Sequence, residues 1–98
     1  MYPTDYVYPA LVYSDSDGIS IDFPDLPGCC PCAHNIKAAL ENAREALAVH
    51  LIGMENDGDY IPAPSVPESI CIPDGAALVM VDVYMPPIRS AASLQLAV

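Results

Sequence analysis

Between Ile19 and Phe23 apolar and polar residues alternate, with Ile19, Ile21 and Phe23 on one side of an extended chain and Ser20 and Asp22 on the other. A period of two predicts a half-buried strand. Upstream, Tyr6–Ser14 is rich in Tyr, Val and Leu and predicts a second strand. Asp15-Ser16-Asp17-Gly18 lies between them. Asp and Ser bond local backbone and Gly accepts positive φ, so this is a turn and the two strands form a hairpin. Pro9 sits inside the first strand without an amide donor. Its nitrogen is expected to face away from a ladder partner or to mark a bulge.

Pro24-Asp25-Leu26-Pro27-Gly28 breaks the alternation with a rigid turn, and Cys29–His34 follows as a short candidate third strand. The clearest element comes next. Asn35 is placed to cap a helix by accepting from its first free amides. Ile36, Leu40, Ala43, Leu47, Leu51 and Met54 recur at spacings of three and four, which predicts one continuous apolar face. Lys37 with Glu41, and Glu41 with Arg44, are expected to pair on the outer face. Gly53 weakens the last turn, and Asp57-Gly58 ends the helix. Tyr60–Pro73 is punctuated by prolines and reads as an extended connection, and Asp74-Gly75 reads as a turn. Ala77–Tyr84 is apolar on both faces except at Asp82, the pattern of a strand buried on both sides. Pro86-Pro87 stops it, and Ser90–Val98 is a weakly patterned tail.

The element order is therefore β-β-β-α-β in an α+β domain. A helical crossover predicts a last strand parallel to a strand of the hairpin. Residues 1–85 read as one domain and 86–98 as its tail. A single long helix covers one face of such a sheet. The doubly apolar last strand then needs a cover on the other face, which the tail, a second copy or a partner would supply. A homo-oligomer, dimer or larger, is the expectation.

Charge narrows the partners. Three basic residues, Lys37, Arg44 and Arg89, stand against thirteen acidic ones, a formal net charge of −10. Phosphate neutralisation needs clustered Lys and Arg, so direct binding to DNA or RNA is not expected. An acidic surface suits a basic protein partner, although solubility alone would also account for it. Met1–Ala10 lacks a signal-peptide pattern, and no apolar run reaches the ~18–20 residues of a membrane span. A cytoplasmic protein with reduced cysteines is expected.

Candidate chemistry is sparse. Cys29, Cys30, Cys32, His34 and Cys71 are zinc-ligand types, but C-x-C-x-H with one distant Cys does not match the paired spacing of structural sites. In an extended run Cys30, Cys32 and His34 point to one side and Cys29 to the other, and small reduced thiols are the reading preferred. A magnesium nuclease needs converging carboxylates, and Tyr6–Tyr13 contains none. His34 and His50 have no nucleophile or orienting acid at a telling spacing. No catalytic residue, metal ligand or cofactor is assigned. Of the six tyrosines, Tyr6 and Tyr8 share one strand face and Tyr13 takes the other; core packing and interface use are both open to them.

Four blocks in order carry a family resemblance: Tyr8-Pro9-Ala10-Leu11-Val12-Tyr13 before an acidic Gly-ended turn; Ile21-Asp22-Phe23-Pro24-Asp25-Leu26-Pro27-Gly28-Cys29; Ala39 to Leu47; and Asp57-Gly58 with Ile61-Pro62-Ala63-Pro64-Ser65. Together they resemble the HicB-like antitoxins. The resemblance implies a partial RNase H-like fold and a non-catalytic protein. Its partner would be a small basic HicA-type toxin that cleaves messenger RNA with a histidine, and the antitoxin would occlude it. Contacts to such a partner are expected from Asp15, Asp17, Asp22, Asp25, Tyr8 and Tyr13. Many relatives add a C-terminal DNA-binding segment. Fourteen residues follow Tyr84 here, too few for that segment, so direct operator binding is not expected. The alternative is an orphan module of the same fold that binds another protein or a ligand.

Overall fold

The computed structural model describes residues 2–96. Four strands and two helices follow in the order β1 (Asp5–Asp15), β2 (Gly18–Asp22), β3 (Cys32–Ala33), α1 (Ile36–Asp57), β4 (Ala76–Tyr84) and α2 (Met85–Leu96). The sheet order is β3-β2-β1-β4. The hairpin closes through Asp15, whose Oδ1 accepts from the amides of Asp17 (2.8 Å) and Gly18 (3.1 Å). Gly18 is required here: its φ is +144°, and a Cβ would lie 2.6 Å from the Ala33 carbonyl oxygen on β3.

The last strand is not parallel to its neighbour. β4 pairs with β1 antiparallel from Asp5↔Tyr84 to Tyr13↔Ala76, and it runs in the same sense as β2 without touching it. The connection decides this. With 22 residues α1 is ~33 Å long. Residues 58–75, at ~3.3 Å each, reach well beyond that length. They return to the end of the sheet where α1 began, and the chain enters β4 from there. A short loop after α1 would have given the parallel strand that the crossover rule predicts.

Pro9 sits as expected. Asp82 turns its carbonyl to the outer edge of β4, where the Arg44 Nε donates to it at 3.2 Å. Its cross-strand partner Val7, and Pro9 two residues on, therefore turn their backbone groups toward the β2 side of β1. The β1–β2 register begins only at Leu11, so the missing amide interrupts no ladder.

The core lies between sheet and α1. Tyr6, Tyr8, Ala10, Val12, Ile21, Phe23, Val81 and Val83 meet Ala39, Ala43, Leu47, Ala48 and Leu51. The helix is capped as predicted, Asn35 Oδ1 accepting from the Ala38 amide at 2.9 Å, and Gly58 ends it in the left-handed region. Its buried face is rotated from the predicted stripe, however. Ile36 and Leu40 are exposed, and Ala39 takes the inward position. Small residues at 39 and 43 bring the helix backbone close to a sheet whose bulky Tyr8 and Phe23 fill the space, so volume complementarity chose the face. Arg44 turns to Asp82 on β4 (3.4 Å), where its sequence neighbours had pointed to Glu41.

Beyond Tyr84 the chain is helical. Pro86 and Pro87 stand in the first turn of α2, where a missing amide costs no helix bond; they stop the strand and start the helix. Met85 is fully buried and Ile88 packs on the core. Residues 97–98 of the expected tail lie outside the described residues. The second face of the sheet carries Pro9 and Leu11, both buried although α1 is on the other side. The connection runs from Ser65, bonded to Asp25 beside β2, to Ala76 on the far side of β1. Val7, Met80 and Tyr84 on that face stay exposed. No helix among the described residues is long and apolar enough to cross a membrane.

Candidate functional site

The six expected contact residues fall in different places. Asp15, Tyr13 and Asp22 stand on the sheet face away from α1, by their register in β1 and β2. Asp17 is exposed at the hairpin tip, beside a groove of about 600 Å³ whose far wall is His34, Asn35 and Ala38. Asp22 is half-buried and accepts from the Cys30 thiol at 3.7 Å. Asp25 is half-buried too, its carboxylate accepting from the Ser65 amide at 2.9 Å and from the Ser65 hydroxyl. That bond pins the proline-rich connection to the turn after β2. Tyr8 requires a correction as a surface group. It is fully buried, stacked on Tyr6 with ring centroids 6.2 Å apart, and its hydroxyl donates to the Pro62 carbonyl. The pattern of alternation put Tyr8 on one face but could not say that α1 covers that face. Burial raises the Tyr8 hydroxyl above the ordinary phenol range.

The cysteines alternate as an extended run should. Cys29 is buried, while Cys30, Cys32 and Cys71 are exposed. Burial pushes the Cys29 thiol up to about 11. Among the described residues, no three His, Cys, Asp or Glu side chains gather as metal ligands. His34 is exposed at the start of α1 and His50 half-buried along it.

One charged cluster was missed by the sequence reading. Glu55 is on the buried face of α1, its side chain 4% exposed. Arg89 of α2 grips it with two of its three nitrogens, Nε on Oε1 and Nη2 on Oε2, each at 2.9 Å. The Tyr6 hydroxyl donates to Oε2 at 2.7 Å. Arg89 also donates to the Pro3 carbonyl, and the Tyr2 hydroxyl to the Glu55 carbonyl at 3.2 Å. The paired guanidinium is the largest influence on Glu55 and lowers its carboxyl, outweighing desolvation. The same pair raises Arg89, and burial raises Tyr6. The cluster ties the chain's start, the end of α1 and α2 into one unit. A signal was present: Glu55 continues the row Ala39, Ala43, Leu47, Leu51 at intervals of four, which places a charge in an apolar face.

Geometry thus gives an acidic domain whose Asp25, Glu55 and Asp82 are held in structural bonds, with Asp15 and Asp17 exposed at the hairpin tip. A family model described as the HicB_like antitoxin of bacterial toxin-antitoxin systems matches residues 8–93. The chain belongs to this family. One solved relative is a chain of the HicA3 and HicB3 toxin-antitoxin complex. It is 30% identical with a TM-score of 0.65, over 79% of this HicB-like chain and 96% of that one. Another is the N-terminal domain of the Burkholderia pseudomallei antitoxin HicB, 26% identical with a TM-score of 0.65, over 76% and 94%. A protein of Haemophilus phage HP1, an uncharacterized 14.9 kDa protein of the rep-hol intergenic region, is 34% identical over 56 residues. The match spans 57% of this chain and 42% of the phage protein's length. The family match extends into α2, so the Arg89 cluster lies within the HicB-like unit.

Proposed function

We propose that this chain is the toxin-binding domain of a HicB-like antitoxin, acting by steric and electrostatic occlusion of a small basic HicA-type toxin. The observation that carries the reading is the match to a chain of a HicA3–HicB3 complex over 96% of that chain. The charge of −10 supports it, because complementary fields speed encounter and fix orientation. Two of the three cations are used internally, Arg44 on Asp82 and Arg89 on Glu55, which leaves the surface field strongly negative. The domain performs no chemistry in this reading. Its notable carboxylates, Asp25, Glu55 and Asp82, each serve a structural bond. It works in the cytoplasm, where a toxin that cleaves messenger RNA would find its target.

Co-expression with a small basic HicA-type toxin, sought in a reading frame beside this one, tests the proposal. Relief of growth arrest and recovery of a stoichiometric complex are expected. Unrelieved arrest with no co-purification would refute it and favour an orphan module of the same fold.

A further inference from the structure

We infer that the outer edge of β4 is where the basic partner docks, adding an extended segment as a fifth strand; this rests on the antitoxin reading. β4 is nine residues long and ends the sheet on one side, whereas the opposite edge is β3, of two residues. The outward carbonyl of Asp82 fixes the parity of the edge. The amides and carbonyls of Leu78 and Met80 face out with it, because one residue's two backbone groups point to the same side of a strand. A free edge of this length invites pairing unless proline, lysine or a bulge blunts it. β4 has no proline and no lysine, and its register against β1 is unbroken.

The edge is flanked by a groove of about 500 Å³ between β4, α1 and α2. Its apolar wall includes Val49 and Tyr84, 64% and 57% exposed, with Val83 and Ile88. Glu41 and Glu45 stand on its α1 side, and Asp82 is exposed on the strand itself. Apolar contact plus acidic lips fits a strand carrying Lys or Arg beside aliphatic residues. The same acids argue against a second copy, since two like-charged lips would face each other across a β4–β4 junction. Among the described residues, the in-chain hydrogen bonds seen on this edge are the Ala76 amide on the Pro73 carbonyl, at the strand's start, and Arg44 on Asp82. Both side chains are more than half exposed, so a partner backbone displaces the pair easily.

The test uses the complex recovered in the growth experiment. Hydrogen exchange is followed for the Leu78 and Met80 amides, free and bound. Partner affinity is measured for Glu41→Lys/Glu45→Lys and for Arg44→Ala, all exposed positions of α1. At least tenfold slower exchange on binding is expected at both amides. The double lysine variant should bind at least tenfold more weakly with a reduced salt dependence, and Arg44→Ala equally or more tightly. If the complex persists while these amides exchange as in the free chain, the docking site is wrong and the antitoxin reading stands. If the wild type forms no complex, both fall. Protection of the same amides in the chain alone, with a dimer mass in light scattering, would assign the edge to a second copy and overturn the proposal.

Discussion

Replacing Arg89 by Met removes one side of the buried pair and keeps the stem that packs beside α1. Glu55 then has the Tyr6 hydroxyl as its remaining side-chain partner, in a site that leaves its side chain 4% exposed. Stranding a buried charge costs ~3–5 kcal/mol. Arg89 itself is 30% exposed, so water screens part of the loss and about 3 kcal/mol is the working figure. A domain of this size holds roughly 5–15 kcal/mol in total, and 1 kcal/mol moves its melting temperature by ~4–8 °C. Thermal unfolding followed by circular dichroism should therefore fall by roughly 12–24 °C at neutral pH. The sign of the pH dependence is the sharper readout. In the wild type the Glu55 carboxyl is lowered on folding. The pair's stabilisation is therefore complete above the ordinary unfolded carboxyl value and is lost as pH falls through the folded one. Without Arg89, desolvation is the largest influence left on Glu55, and it acts upward. The variant should then gain stability, relative to wild type, as the carboxyl is protonated in mild acid. Glu55→Leu/Arg89→Met should recover a large part of the loss, because no charge is left buried. A melting shift under about 5 °C, or parallel pH profiles for Arg89→Met and wild type, would refute the account.

Gly18→Ala combines a backbone strain at φ +144° with a Cβ 2.6 Å from the Ala33 carbonyl; a loss of more than ~2 kcal/mol is expected from the φ and the clash, checked by urea titration with a lower midpoint and unchanged slope. Native alkylation near pH 8 should modify Cys30, Cys32 and Cys71 quickly and Cys29 only on unfolding, since Cys29 is buried and its thiol is raised to about 11; mass spectrometry that finds all four modified at one rate would contradict the burial.

The local elements were legible because each is written in short-range chemistry. Asp15 and Gly18 specify the hairpin turn, Asn35 and Gly58 bound α1, and Ile19–Phe23 alternates with the pleat. The family was legible in the ordered motifs. The candidate surface was less so. Alternation paired Tyr6 with Tyr8 correctly but not with the helix that buries them, and Asp25, expected at a partner surface, holds Ser65, forty positions on. The face of α1 was decided by packing volume, which placed Ala39 inward and left Ile36 and Leu40 outside. The direction of β4 was decided by the path of residues 58–75, since a long connection can return the chain to either end of a sheet. Arg89 and Glu55 meet across two helices. Sequence by itself determined the hairpin with its turn and the two ends of α1, which depend on neighbours along the chain, but not α2, which it left as a tail. Only the tertiary structure decided which groups are buried, which charges are paired and which edge of the sheet is free, because those depend on residues that are neighbours in space.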